Sequence, residues 1–433
     1  MKALRNLIVF LLLLPTILAV ASNDVTVAGR VNRPQTLVRL MVYDDLLNMH
    51  ETEVARAYSD GQGFFLLEGK VDCIMPARIL VGLESVDLFV TPGASYDIVI
   101  TVPDVDPSAS YFERRSPSIR VKTATDHGIY RQIIVSEQII NSYVLEYFDA
   151  LYRKRQYRYI DSIKETIREE LDIRDDYVKQ QNDYKIASVR MAVDADGGKK
   201  VIAELYDGKP VLFRCMAYMD LFKDLFKNYE LSDEFSRRNP ELSDLVTIYQ
   251  LRGLYYEDYQ SRGWVKKQLQ SIGQKSKSAE IKKLVANTLN RFDRFAQGAD
   301  APDFELQSSD GSTVKLSEYK NTMVLLQFVD GSSPTVEHQF EVLSDLHQQW
   351  QDSVQLITVS TKDQIASHRK RFEEHRYDWP LLNLGNDILL LERYEVRTFP
   401  EYFLILPDTK IGLAPAPNPD RTLRENVTKL LKK

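Results

Sequence analysis

The chain has 433 residues, and its 56 basic and 62 acidic side chains give a formal net charge of −6. This balance argues against nucleic acid as a main partner, because a phosphate-binding surface needs an excess of basic groups. The composition, 44% hydrophobic and 27% charged, is that of globular domains, and the length suggests two or three of them.

The N-terminus has the three parts of a secretory signal peptide. Lys2 and Arg5 supply positive charge, Leu7–Leu18 is a mostly apolar run, and Ala19-Val20-Ala21 is a small-x-small cleavage site. We therefore predict that residues 1–21 are removed on export and that the protein is periplasmic. The run is short for a membrane anchor, no cysteine follows it as a lipid attachment would require, and no later segment approaches the ~20 apolar residues of a spanning helix.

Residues 22–104 have the pattern of an all-β domain. Short alternating apolar runs recur between turn sequences such as Asp60-Gly61 and Pro92-Gly93. This regular spacing predicts a small β-sandwich. The segment contains no carboxylate pair, histidine cluster or glycine-rich phosphate loop, so we interpret it as a packing or docking module.

A proline- and serine-rich connector is predicted over residues 105–124, followed by a helical domain over residues 125–297. Apolar side chains recur there at helical spacing, for example from Ile129 to Leu151 and from Leu242 to Tyr249. Tyrosine is abundant in this region. Such aromatic stripes more often form a core than a ligand platform, although tyrosine is also enriched at binding surfaces.

The segment over residues 298–433 contains a strand, a tight turn and a helix start in close succession. Met323–Phe328 is an apolar run typical of a buried strand, and Asp330-Gly331-Ser332 has the chemistry of a turn. Ser333 is a good helix N-cap and Pro334 suits the first helical position. A thiol placed at such a helix N-terminus would have a lowered pKa.

This arrangement resembles the active-site segment of thioredoxin-fold proteins, in particular exported members of the TlpA/ResA and AhpC/TSA types. Further motifs in the same order support the resemblance: Ala301-Pro302-Asp303-Phe304 as the entry motif, the Asp310-Gly311 hairpin, and Thr398-Phe399-Pro400-Glu401 as the loop around a cis-proline. The resemblance implies an α/β thioredoxin-like fold for the C-terminal third and a cis peptide bond before Pro400. The β segment at residues 22–104 also resembles the β domain that often precedes exported thioredoxin-like domains.

The resemblance places the two redox cysteines at Ser333 and Val336. A serine hydroxyl is far less acidic than a thiol and cannot pass through a disulfide, so dithiol exchange is not expected at these degenerate positions. A hydrolytic role for Ser333 with His338 and Asp330 is disfavoured, because His338 lies about 140° around the helix from Ser333. No Gly-x-Ser-x-Gly elbow is present either.

The remaining candidates for chemistry are sparse. Cys73 and Cys215 form neither a Cys-x-x-Cys pair nor a zinc spacing; they are either small buried side chains or an inter-domain disulfide. His368 and His375 are too far apart on a helix, about 10.5 Å, for one metal centre, and we interpret the histidines as solvated helix residues. We therefore predict no metal, no cofactor and no catalytic residue.

Together these patterns predict a multidomain protein with an N-terminal β-sandwich, a central α-helical domain and a C-terminal thioredoxin-like domain. We expect it to act by binding a protein or peptide in a groove formed by Ser332, Ser333, Pro334, Phe399 and Pro400, with Val329 and Tyr402 adding apolar contact. Two alternatives stay open: a thiol-disulfide oxidoreductase or peroxide-reducing AhpC/TSA-type enzyme that uses Cys73 or Cys215, and a receptor for a small ligand in a cleft between domains.

Overall fold

The computed structural model describes residues 23–104, 116–194, 196–331, 334–350, 353–361, 364–385, 387–396, 398–419 and 421–431. The predicted signal peptide, residues 105–115 of the predicted connector, Ser332 and Ser333 lie outside the described residues.

The N-terminal part consists of two four-stranded sheets. The strands are β1 Asp24–Val31, β2 Leu37–Asp45, β3 His50–Tyr58, β4 Phe64–Lys70, β5 Met75–Val81, β6 Glu84–Val90, β7 Ser95–Thr101 and β8 Ser118–Ala124. One sheet has the order β4-β1-β7-β8 and the other β3-β2-β5-β6. Alternating side chains of both sheets, such as Val25 and Ile98 of the first and Leu40 and Ile79 of the second, form one common core.

Strand β8 differs from the sequence interpretation of residues 105–124 as a connector. It pairs antiparallel with β7 along the edge of the first sheet. Its side chains are exposed or half-buried, so the strand lacks the buried apolar alternation by which the other strands are recognisable in the sequence.

The central part is helical. Its helices are α1 Ile129–Glu146, α2 Arg158–Glu170, α3 Asp176–Val193, α4 Gly197–Val201, α5 Met216–Phe226, α6 Asp233–Arg238, α7 Pro240–Glu257, α8 Arg262–Lys275 and α9 Ala279–Arg294. Many of the aromatic residues belong to the core. The rings of Tyr184, Tyr206, Tyr218, Phe222 and Phe226 are buried and contact one another, mostly edge-on or tilted. Each buried aromatic side chain removes a large apolar surface from water and so stabilises this core.

The connection between β2 and β3 joins the β-sandwich to the helices. Leu46 and Leu47 are buried in the helical core, and the Asn48 side chain donates a hydrogen bond to Thr288 Oγ1 on α9 at 3.0 Å. Asp44 forms an ion pair with Lys283, also on α9, with 2.9 Å between Oδ2 and Nζ. The two parts are therefore connected by apolar packing and by polar contacts.

The C-terminal part is a seven-stranded mixed sheet with helices on it. Its elements are β9 Glu305–Ser308, β10 Thr313–Lys315, β11 Met323–Val329, α10 Pro334–Trp350, β12 Val354–Ser360, α11 Ile365–His375, β13 Leu381–Asn383, α12 Ile388–Arg393, β14 Glu401–Ile405, β15 Ile411–Ala416 and α13 Arg421–Leu431. The strand order is β10-β9-β13-β12-β11-β14-β15. Strand β11 is central, parallel to β12 and antiparallel to β14, and all seven of its residues are buried, as expected for a strand covered on both faces.

The predicted architecture is confirmed: β sheets at the N-terminus, helices in the centre and a thioredoxin-like α/β sheet at the C-terminus. Predicted and observed elements agree closely around the proposed redox segment. The strand at Val354–Ser360 has the predicted bounds, and the helix after the turn begins at Pro334.

Candidate functional site

The corner between β11 and α10 corresponds to the redox segment predicted from the sequence. After Val329 the chain turns through Asp330 and Gly331, and Gly331 has φ of 71°, a conformation that glycine adopts at little cost. The Asp330 carboxylate accepts a 2.6 Å hydrogen bond from Thr361 Oγ1 at the end of β12. The turn is thus held to the neighbouring strand, and α10 starts three residues after Gly331.

Val336, at the second of the two degenerate redox positions, is a core residue. Its side chain is 2% exposed and packs in a cluster with Phe340, Leu343 and Leu346 of the same helix. These residues are spaced three or four apart, so they share the face of α10 that covers the sheet. The position is filled by a buried hydrocarbon.

The Phe399–Pro400 loop lies next to this corner. The peptide bond before Pro400 is cis, as predicted. Because β14 pairs antiparallel with β11 and Glu401 is opposite Phe328, the register brings Pro400 to the end of β11, where the Asp330–Gly331 turn begins. Phe399 is 36% exposed.

Two residues expected to add apolar contact in the groove do not do so. Val329 and Tyr402 are 0% and 1% exposed, so both belong to the interior. Burial follows from their positions on the two central strands, which are covered on both faces. Among the apolar residues proposed for groove contact, Phe399 is the accessible one.

His368 lies beneath the turn, and the prediction that the histidines are solvated was wrong for this residue. Its side chain is 1% exposed, its Nε2 donates to the carbonyl oxygen of Gly331 at 2.9 Å, and its Nδ1 is 2.7 Å from Ser360 Oγ. The ring also contacts Phe340 edge-on, with centroids 5.8 Å apart. A lone histidine in a charge-rich helix gave no indication of these partners, which lie 8 and 37 residues away.

A second group of buried polar side chains crosses the three central strands. Tyr402 Oη accepts a hydrogen bond from Gln327 Nε2 at 2.9 Å and donates one to Gln339 Oε1 on α10 at 2.7 Å. Thr358 Oγ1 donates to Gln327 Oε1 at 2.9 Å and accepts from Trp379 Nε1 at 3.0 Å. Each bond satisfies a group that would otherwise be costly to bury. The sequence contained one indication of this network, the isolated glutamine in the apolar run of β11.

Neither cysteine is near a helix start of the C-terminal domain. Cys215 is buried at the N-cap of α5, where its thiol donates to Gln181 Oε1 at 3.0 Å, and burial raises its pKa to about 12. Cys73 is half-buried, and burial raises the pKa of its thiol as well. Both are free, so the inter-domain disulfide is not formed in this structure. Raised pKa values disfavour the thiolate that exchange chemistry needs.

Among the described residues, no group of three or more histidine, cysteine or acidic side chains is arranged to hold a metal ion. No helix in the described part of the chain has the length and hydrophobicity to cross a membrane.

Comparison with known proteins agrees with the motifs in the C-terminal segment. Residues 297–414 match the AhpC/TSA family. A curated relative, the thiol-disulfide oxidoreductase ResA of Bacillus subtilis, is 24% identical over 117 residues; the match covers 27% of this chain and 65% of that protein. The chain thus spans less than two thirds of this relative's length.

Two solved structures are similar to the same third of the chain. One is the thioredoxin domain of a thiol-disulfide oxidoreductase from Bacteroides vulgatus, with 25% identity, 31% of this chain and 98% of that chain covered, and a TM-score of 0.29. The other is a thiol:disulfide interchange protein from a Bacteroides species, with 24% identity, 32% and 93% coverage, and a TM-score of 0.30. By the sequence matches, the C-terminal segment is similar to the AhpC/TSA family and to a thiol-disulfide oxidoreductase.

Proposed function

We propose that this protein is an exported, periplasmic member of the thioredoxin-like group that has lost dithiol exchange and binds an extended segment of a partner protein. The proposed binding residues are the ones predicted from the sequence, Ser332, Ser333, Pro334, Phe399 and Pro400. Export is supported by the sequence of residues 1–21, and the mature chain would begin at Ser22.

The observation that carries the loss of dithiol chemistry is the burial of Val336. At the position of the resolving cysteine, the chain has Val336, whose hydrocarbon side chain packs in the core between α10 and the sheet. At the position of the first cysteine, the sequence has Ser333. The two thiols in the chain lie in other domains and have raised pKa values. An exchange reaction requires an accessible thiolate, so none of these groups supplies it.

Restoring the two thiols tests this assignment. We expect the unmodified mature protein to be inactive in insulin reduction and hydroperoxide turnover, and Ser333→Cys with Val336→Cys to gain measurable insulin reduction. Valine to cysteine removes little volume, so the double variant should fold. Ser333→Cys alone is the matched control and should stay far less active, since it has no resolving thiol. A double variant that folds but gains no activity would contradict the placement of these residues at a redox corner.

The groove is suited to an extended chain for two reasons. The loop of residues 398–400 immediately precedes β14. The backbone of an extended partner segment could pair there with Phe399, the residue before Pro400, by strand addition. Phe399 is a large, partly exposed aromatic side chain beside this backbone, and aromatic residues are enriched in binding hot spots.

Partner capture from the exported fraction tests the binding role. We expect Phe399→Asp to reduce the recovered partner at least tenfold, as the loss of an aromatic anchor costs about 2 kcal/mol or more. Leu83→Asp is the matched control, because Leu83 is similarly exposed, at 40%, in the N-terminal part. Equal recovery with both variants would exclude the Phe399 loop as the binding surface.

The alternative is an oxidoreductase or peroxide-reducing enzyme that uses Cys73 or Cys215. Its basis is the activity named for the relatives of the C-terminal domain. If the protein has redox activity, Cys73→Ser and Cys215→Ser should each be assayed: loss of turnover in either would exclude the redox-inactive assignment. Activity that survives the combined substitution would exclude thiol chemistry altogether.

A further inference from the structure

A cavity of about 150 Å³ lies between the helical domain and the C-terminal domain, on the side of the sheet away from α10. Its walls come from α7, α8 and α9 on one side and from the ends of α12, β14 and β15 on the other. Aromatic and charged side chains form most of the lining, among them Tyr255, Phe292, Phe403, Arg252, Arg262 and Arg291.

The walls of this inter-domain cavity are largely aromatic. Tyr255 and Phe292 stack in parallel, with ring centroids 3.5 Å apart and an angle of 4°, and Tyr256 meets Phe292 edge-on. Phe403 and Tyr394 close the opposite wall and are buried. A cavity of roughly 150 Å³ is large enough for a benzene-sized ring, and the aromatic side chains provide it with an apolar surface.

Three guanidinium groups face the same space. Arg252 donates to a neutral acceptor, the carbonyl oxygen of Leu47. Arg262 lies over the Tyr255 ring at 4.7 Å from its centroid. Arg291 forms an ion pair with Glu395 at 3.1 Å, and Arg294 pairs with the other oxygen of the same carboxylate. Glu395 is therefore already shared by two arginines.

The electrostatic balance at Arg252 favours an added negative charge. Burial lowers the pKa of Arg252, and the positive charge of Arg291 lowers it further, while Tyr256, Tyr249 and Asp45 make smaller opposing contributions. A guanidinium stays protonated at any ordinary pH. The charged residues that line the cavity are three arginines and two glutamates, so the lining has an excess of one positive charge.

We propose that the inter-domain cavity binds a small aromatic carboxylate. The ring would lie against the Tyr255–Phe292 stack, and the carboxylate would accept hydrogen bonds from Arg252 and Arg262 or Arg291, as guanidinium groups pair well with planar carboxylates. A doubly charged phosphate fits less well, because Glu395 and Glu401 also line the cavity. The site is independent of the peptide groove proposed above.

Titration calorimetry with three probes on the mature protein tests the ligand class. Benzoate should bind with one site per chain, benzamide should bind at least tenfold more weakly because it lacks the charge, and inorganic phosphate should also bind at least tenfold more weakly because it lacks the ring. Benzamide binding as tightly as benzoate, or phosphate binding more tightly, would overturn the proposal, and so would no binding of benzoate.

Two variants test the location. Arg252→Met should weaken benzoate binding at least tenfold. Ala414→Leu narrows the cavity without removing a charge and should also abolish benzoate binding, which keeps the test decisive if Arg252→Met does not fold. Arg158→Met is the control, because Arg158 lies over the Tyr159 ring on an exposed helix and has no part in the cavity. Benzoate affinity unchanged in a folded Ala414→Leu variant would exclude this cavity.

Discussion

The corner between β11 and α10 and the inter-domain cavity lie on opposite faces of the same sheet. They differ in the hydrogen-bond and ion-pair partners of their polar groups. Tyr402 points to the α10 face and bonds to Gln327 and Gln339, while its neighbour Phe403 lines the cavity on the other face. At the corner, the uncharged side chains of Gln327, Gln339 and Tyr402 form hydrogen bonds with one another. At the cavity the groups are guanidinium ions, and one of them has a neutral carbonyl as its partner.

This difference indicates that the cavity face of the sheet, and not the α10 face, is suited to binding a ligand. A network whose donors and acceptors already bond to each other contributes to stability and specificity of the fold. Positive groups held close together in a partly enclosed space contribute to ligand binding instead. Substitutions at the corner should therefore act on stability, and substitutions at the cavity on affinity.

The largest expected effect is the loss of Phe340 from the corner. Phe340 is 0% exposed and contacts the rings of His368, Phe372 and Tyr377. Phe340→Ala should lower the free energy of unfolding by about 3–5 kcal/mol, since it removes a buried ring and leaves a cavity. The measurement is the urea unfolding midpoint. Phe399→Ala, on the exposed loop, should change it little; equal losses would mean that the corner is not a packed core.

The next effect in size is at the polar network. Tyr402→Phe removes the hydroxyl shared by Gln327 and Gln339 and leaves both amides short of a partner. We expect a loss of about 1–3 kcal/mol, the cost of unsatisfied buried groups, measured by urea unfolding. Tyr58→Phe is the matched control, because Tyr58 is 72% exposed. If Tyr402→Phe leaves the free energy of unfolding unchanged, the network contributes no net stability.

Much of the corner was predictable from the sequence for local reasons. The run at Met323–Val329 is uniformly apolar apart from Gln327, which is the pattern of a strand covered on both faces. The cis bond before Pro400 followed from a resemblance carried by the neighbouring residues. These features depend on short stretches of chain or on a family motif, and both are visible in the sequence.

The partners of buried groups and the inter-domain cavity were not predictable in this way. Arg252 and Phe403 line the same cavity although they lie far apart in the chain, and nothing in the spacing of either segment indicates the other. Strand β8 was missed because its side chains are largely exposed or half-buried, so it lacks the alternation on which strand prediction depends. The partners of the buried groups and the cavity depend on long-range packing, and β8 depends on backbone pairing with β7, which the side-chain pattern does not show.

A smaller effect is expected where the N-terminal sheet contacts the C-terminal domain. Arg39 of β2 is 2% exposed and pairs with Glu392 of α12. Glu392→Gln leaves the buried guanidinium with the more distant Glu53, at 3.7 Å. We expect a loss of about 1–2 kcal/mol, reduced by the partial exposure of Glu392, measured by urea unfolding. Glu374→Gln, which affects an exposed pair with Lys370, is the control and should cost about 0.5 kcal/mol or less.

The smallest effect is a pH dependence at the contact between the β-sandwich and α9. Burial of Asp44 opposes its ionisation, but hydrogen bonds from His50 and Lys283 outweigh this and lower its pKa from 3.8 to about 2. The hydrogen bond to Asp44 raises the pKa of His50 above 6.5. The Asp44 contribution is therefore complete above pH 3.8 and is lost as the pH falls towards 2. The His50 contribution is complete below pH 6.5 and is lost as the pH rises through the higher folded-state value.

Stability from this pair should thus be greatest between about pH 4 and 6.5 and should fall on both sides. We expect the Asp44 part to amount to about 1 kcal/mol after solvent screening. Urea midpoints measured from pH 2.5 to 8 give the profile, and Asp44→Asn should flatten both limbs because it removes the acceptor of His50 as well. His127→Gln, at an exposed histidine, should leave the profile unchanged. If the difference between Asp44→Asn and the unmodified protein does not vary with pH, the ionisation of Asp44 and His50 does not contribute to the contact between β2 and α9.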